Sequence, residues 1–191
     1  MKGIFFCIVL FAFQQLQSQP QWYEGSLVLS DCKVLVGKIS LEQKHDLVLY
    51  ANGDTRIVYP AHKIKSIYYY DNVKNINRRY ISIKKDDGIR SSYHLFELVV
   101  AGDLSVIRRK KEPSLSIQNE PMDFNYFVYL NDEIIALKKF RRKVFPRLQY
   151  DHRLNEYISF NNLSGDRAVD AIRIIEYYNQ LLKANEPLAK N

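Results

Sequence analysis

The sequence predicts an α+β chain. An N-terminal antiparallel β-meander, or a small SH3-like or Sm-like barrel, is extended by further hairpins and followed by a C-terminal helical segment. Three observations carry this. From Trp22 to about Leu137, short apolar-alternating runs are separated by tight polar turns, the period-two signature of half-buried strands. The first five runs have the count and spacing of a small barrel. After Leu137 the apolar spacing becomes three and four, the period of a helix with one buried face.

The strands follow in order. "GSLVLSD" and "KVLVGKISL" are joined at Ser30-Asp31, and "DLVLY" and "TRIVYP" flank Ala51-Asn52-Gly53-Asp54. Asn-Gly between two such runs predicts a hairpin in which both central residues take positive φ. Pro60 ends that strand, "AHK" makes a short turn and "IKSIYYYDN" begins the next. "RRYISIKK" and "SSYHLFELVVAGD" surround Asp86-Asp87-Gly88, and "LSVIRRKK" pairs back across Ala101-Gly102-Asp103. Residues 111–122, with two prolines, read as an exposed loop. "FNYFVYL" and "EIIAL" form one more hairpin around Asn131-Asp132.

In "LKKFRRKVFPRL" the residues Leu137, Phe140, Val144 and Leu148 recur at helical offsets, and Pro146 bends or ends that helix. "HRLNEYISF" is a second short helix. Asn162 or Ser164 caps a third, from about Asp166 to Ala184. Its expected buried stripe is Ala168, Val169, Ile172, Ile175, Tyr178 and Leu182, with Tyr178 inward and Tyr177 outward.

The N-terminus decides the compartment. Lys2 is followed by an apolar run from Gly3 to Phe13, long enough for a signal-peptide core and too short to span a bilayer. Cleavage is expected between Ser18 and Gln19. The resulting organisation is a signal peptide at 1–18, a barrel-like region at 19–110, a loop at 111–122, and a hairpin with packed helices at 123–191. Removing the peptide takes away Cys7 and leaves Cys32 without an internal disulfide partner. No later run is apolar enough to re-enter the membrane. The chain is basic, with a formal charge of +7; export disfavours nucleic acid and fits an anionic envelope component or an acidic protein partner better, while a plain excess of surface lysine accounts for the charge more simply than either.

Signals for catalysis are weak. His45, His62, His94 and His152 form no metal-ligand pair, so no metal or other cofactor is expected. There is no nucleophile elbow, and seven glycines leave no phosphate-cradling loop. Cys32 beside a turn has no neighbour that activates it. Two features remain as contact surfaces. Fourteen tyrosines include Tyr68, Tyr69 and Tyr70; on a strand, Tyr68 and Tyr70 share one side, where they can stack on sugars or bases or else fill a core. Lys138, Lys139, Arg141, Arg142, Lys143 and Arg147 crowd eleven residues without an acid, either as the solvated faces of a packed helix or as a docking site.

The stretches "WYEGSLVLSD", "VLVGKIS", "AHKIKSIYYYD", "FELVVAGDLSVIRR", "FNYFVYLNDEIIALKKF" and "IIEYYN" resemble uncharacterised exported, signal-peptide-bearing small β-rich proteins of the type found in Bacteroidota. The resemblance covers most of the chain after residue 18. It implies a periplasmic or outer-membrane-associated protein rather than a secreted one, and it supplies no catalytic residues. The expected function is a non-enzymatic binding or structural module of the cell envelope. One alternative is a hydrolase or carbohydrate-active enzyme with a site assembled from separate strands; the other is a nucleic-acid-binding barrel.

Overall fold

The computed structural model describes residues 20–86, 91–111, 124–148 and 152–185; the signal-peptide cleavage site, the Asp87-Gly88 turn and nearly all of the 111–122 loop lie outside them. Among these residues the chain builds one antiparallel ten-stranded sheet. Its strands are β1 (Tyr23–Leu29), β2 (Val34–Glu42), β3 (Leu47–Asn52), β4 (Thr55–Pro60), β5 (Ile64–Asp71), β6 (Ile76–Asp86), β7 (Ser91–Val100), β8 (Ser105–Lys110), β9 (Phe124–Leu130) and β10 (Glu133–Ala136). Two helices follow, α1 (His152–Phe160) and α2 (Ala168–Asn185).

The spatial order is β10-β9-β8-β7-β6-β5-β1-β2-β3-β4. A closed barrel is therefore not formed. Closure would need β4 to pair with β5, but β1 and β6 occupy both edges of β5. The strands run as simple meanders from β1 to β4 and from β5 to β10, but β5 crosses back to pair with β1, so an unbroken N-terminal meander is not formed either; the sheet continues from β8 to β9 across the proline-rich segment.

Two turns show how local chemistry sets register. At the β3–β4 hairpin Asn52 pairs with Thr55, so the central residues are Gly53 and Asp54, and only Gly53 has positive φ. The expectation of positive φ at both Asn52 and Gly53 is one residue out of phase. At the β9–β10 hairpin Asn131 and Asp132 both take positive φ, 47° and 63°, matching the right-handed twist of the flanking strands. Gly25 and Gly37 face each other across β1 and β2, and neither is a turn residue. A Cβ at Gly25 would lie 2.2 Å from the Tyr68 carbonyl oxygen, and one at Gly37 would lie 2.5 Å from that of Ala51.

One sheet face carries two cores. Leu27, Ile39, Val48, Tyr50, Ile67, Tyr69, Tyr80 and Leu95 form the first, wrapped by the N-terminal strands. Val106, Val128, Phe140, Val144, Ile174 and Ile175 belong to the second, beneath the helices. Between them lies a buried charge seam. Arg78 donates to Asp71 (2.8 Å) and to Glu97 (2.5 Å), and Arg108 donates to both Glu97 oxygens (2.7 and 2.9 Å) and to the Tyr126 hydroxyl. The Arg78, Asp71 and Glu97 side chains are 7% exposed or less. Tyr23, Tyr69 and Tyr80 stack beside the seam, with ring centroids 4.4 and 5.9 Å apart. Burial raises the pKa of all three hydroxyls. On the opposite face Ile83, Phe96 and Ile107 make a smaller cluster.

The basic segment is not the continuous helix its spacing predicts. It is a 3₁₀ turn at Leu137–Lys139, a π turn at Phe140–Val144 and a 3₁₀ turn at Phe145–Arg147. Pro146 supplies no N–H to extend an α-helical ladder, and it sits in the first turn of the last piece. The apolar spine is as read: Leu137, Phe140, Val144 and Leu148 are all buried. In α2 the buried residues are Ala171, Ile174, Ile175, Tyr178 and Leu181, with Ala168, Ile172 and Leu182 of the expected stripe packed partly buried against them. Val169 is exposed, and Tyr177 is not outward but packs against the same cluster and stacks on Tyr157. Neither Asn162 nor Ser164 caps α2, which begins at Ala168. Instead the Asp170 carboxylate accepts from the Ser164 N–H and from Arg167. Buried Asn179 fixes α2 to the β7–β8 turn by bonding both the N–H and the carbonyl of Leu104.

Burial works to raise the Asp71 pKa, but the Arg78 guanidinium and the Lys74 and Val73 N–H groups outweigh it, and the carboxyl titrates below its usual range. A carboxyl depressed in the folded state adds stability above its unfolded pKa and loses it as pH falls through the folded one. The stability margin of the wild type over Asp71→Asn should thus be greatest near neutrality and close between about pH 4 and pH 2, as followed by thermal melts across that range.

Candidate functional site

Two clefts and one charged strip hold the residues that could act. The first cleft opens where β1 and β5 meet. Trp22, Glu24, Lys38, Tyr70 and Asn72 line it around about 340 Å³. Strand alternation puts Tyr68 and Tyr70 on the outer face and turns Tyr69 into the core. They are 38% and 47% exposed, while Tyr69 is 7% exposed. Arg79, opposite Tyr68 on β6, places its guanidinium 5.0 Å from that ring's centroid. Tyr70 donates to Asn75 in the β5–β6 turn, which fixes the ring's outer edge. Across β1, Ser26 separates Tyr68 from Val36, which is 67% exposed. The result is a flat aromatic shelf ending in a cleft that offers a carboxylate, an ammonium and an amide.

The second cleft, about 480 Å³, is lined by His45, Asp46, Leu47, Pro60, Ala61, His62, Ser91, Ser92 and Tyr93. At its wall the β2–β3 corner is clasped onto β7. Asp46, at positive φ after the 3₁₀ turn Gln43–His45, accepts from the Leu95 N–H (2.8 Å) and from Arg109 (2.5 and 3.1 Å). Gln43 donates to the Leu95 carbonyl, and Arg109 donates to the Gln43 carbonyl. Leu95 is free to take these partners because β7 pairs with β8 only from Glu97 onward. The clasp thus closes with side chains what strand pairing leaves open.

Within it, Asp46 Oδ2 lies 2.8 Å from His94 Nδ1, and Ser92 Oγ lies 2.8 Å from His94 Nε2. Burial pushes the Asp46 pKa up, yet hydrogen bonds from Arg109, the Leu95 N–H and His94 bring it below the usual carboxylate range. An ionised carboxylate only accepts, so the proton of the neutral imidazole is on Nδ1. The bare Nε2 then accepts the Ser92 hydroxyl proton. That is the polarity a serine nucleophile requires of its base.

Sequence reasoning missed this cluster. Ser92 and His94 stand two apart on one strand face, which is a readable signal; Asp46, 48 positions from His94, carries none until the sheet curls. Cys32 is exposed at positive φ in the β1–β2 turn. Among the described residues, no group of three histidines, cysteines or carboxylates is placed to hold a metal ion. No helix of the described residues is long and apolar enough to cross a membrane.

The basic strip lies apart from the tyrosines, with four strands between β5 and β10. Lys138, Lys139, Arg141, Arg142 and Lys143 are exposed. Arg141 pairs with Asp166 and Arg147 with Glu133, both at 2.6 Å and in solvent, where such pairs contribute little.

Replacing Asp46 with Ala leaves the Leu95 N–H without its acceptor and Arg109 with only the Gln43 and Leu95 carbonyls, and should cost about 2 kcal/mol. Ser92→Ala leaves those bonds in place and should cost less than about 1 kcal/mol. Denaturant unfolding of the two variants measures both. No family model, curated protein or solved structure matches this chain.

Proposed function

We propose that this chain is an exported binding module of the cell envelope whose ligand is a ring-bearing polar chain, in the first place a glycan, seated on Tyr68, Tyr70 and Trp22. The observation that carries it is the joint exposure of Tyr68 and Tyr70 beside a cleft with Trp22, Glu24, Lys38 and Asn72. Sugar rings present apolar faces and a rim of hydroxyls. The aromatic shelf meets the faces, and the acid, ammonium and amide meet the rim. A fixed shelf also lowers the ordering cost of binding: Tyr68 lies beneath Arg79, and Tyr70 is bonded to Asn75.

The signal-like N-terminus motivates the envelope location, and the basic strip is read as solvated surface rather than as the binding face. Two of its cations already pair with neighbouring acids, and its apolar residues are spent on the core.

The test is co-sedimentation of the purified chain with insoluble envelope glycan. Wild type should bind. Trp22→Ala with Tyr70→Ala should weaken binding at least about fivefold, as loss of aromatic contacts worth about 1 kcal/mol implies. Arg141→Glu with Arg142→Glu should leave it unchanged. A wild type that stays in the supernatant, or an aromatic double variant that binds as well, would overturn the reading.

A further inference from the structure

The second cleft is independent of the aromatic shelf, and its geometry asks for a different chemistry. We propose that Ser92 is an acyl-accepting nucleophile, activated by His94, for small carboxylic esters entering the cleft between the β2–β3 corner and the start of β7.

Four features converge. Ser92 Oγ is within hydrogen-bond reach of His94 Nε2 at 2.8 Å. Asp46 holds the far nitrogen at 2.8 Å and so keeps Nε2 free of its own proton. Asp46 is itself immobilised by Arg109 and the Leu95 N–H, so the imidazole is oriented before any ligand arrives. Ser92 faces an open cleft of about 480 Å³, room for an acyl group and a small alcohol. A polar clasp needs Asp46, Arg109, Gln43 and Leu95 to hold the corner on the strand; it has no use for a serine aligned on the outer nitrogen of the histidine.

The reaction balances with water as the only co-reactant. Ser92 Oγ attacks the ester carbonyl carbon while His94 Nε2 takes the hydroxyl proton. The bond from carbon to the alkoxy oxygen breaks, and the alcohol departs with that proton. Water then attacks the acyl-serine, gives a proton to His94, and releases the carboxylic acid as the proton returns to Ser92 Oγ. Asp46 stays ionised throughout. Arg109 shares the same carboxylate, so Asp46 orients the imidazole without being devoted to it. A positioned base contributes about 10²–10⁴-fold.

The full chain is incubated with a fluorophosphonate probe and digested for mass spectrometry, and in parallel with p-nitrophenyl acetate. The proposal expects covalent label on Ser92 and release of p-nitrophenolate above the buffer rate. Ser92→Ala should lose the label at that position and fall to the buffer rate. His94→Gln should slow labelling about 100-fold. Ser92→Ala keeps every bond of the clasp, so it remains decisive even if the histidine variant folds poorly. Absence of label on Ser92 in folded wild type, or ester cleavage undiminished in Ser92→Ala, overturns the proposal.

Discussion

The Asp71–Arg78–Glu97–Arg108 seam is the constraint on which the architecture depends. A single sheet face here must serve two apolar clusters that do not merge. Two guanidinium groups and two carboxylates cancel in charge, and among the described residues no buried side-chain nitrogen or oxygen lacks a hydrogen-bond partner. A seam satisfied in this way fixes register: Glu97 must stand opposite both Tyr80 and Arg108, and a slip of one residue would turn every partner to the other face. An incompletely satisfied set of buried charges would be worse than an apolar substitute. The seam therefore gives the long sheet specificity more than net stability, while burial in the two clusters supplies the driving force.

The stacked tyrosines extend the same logic. Tyr23, Tyr69 and Tyr80 stack on one another within the first cluster and lie beside the seam, so they bridge apolar and charged material. Gly25 makes this possible by leaving room beside Tyr69 on the neighbouring strand. The high tyrosine content thus divides between two tasks. Rings on one side of β5 build the interior, and rings on the other side face solvent.

Much of the fold was legible because strands and turns are local. Alternation located all ten strands, and it placed Tyr68 and Tyr70 together on the outer side of β5. The apolar spine of the basic segment was readable too, since buried residues keep their spacing whatever the turn type. The helix type was not, because the effect of Pro146 on neighbouring turns depends on how Phe140 and Val144 are held below. Barrel closure was misread for a different reason. Five strands of suitable length do not reveal whether the fifth will recruit β6 or β4. The Ser92–His94–Asp46 cluster was half legible: the strand pair could be seen, but the acid comes from a corner that only the curl of the sheet delivers.

That corner has a kinetic meaning. Asp46 meets Leu95 and Arg109 across 49 and 63 positions of chain, far longer range than the hairpins on either side. Loop-closure entropy favours the hairpins first. The clasp can lock only after β5, β6 and β7 have added to β1 and brought Leu95 under the β2–β3 corner. The serine and its histidine are neighbours from the moment β7 forms, whereas the carboxylate that orients them arrives among the last contacts of folding. A chain caught part-way would hold the pair without its acid.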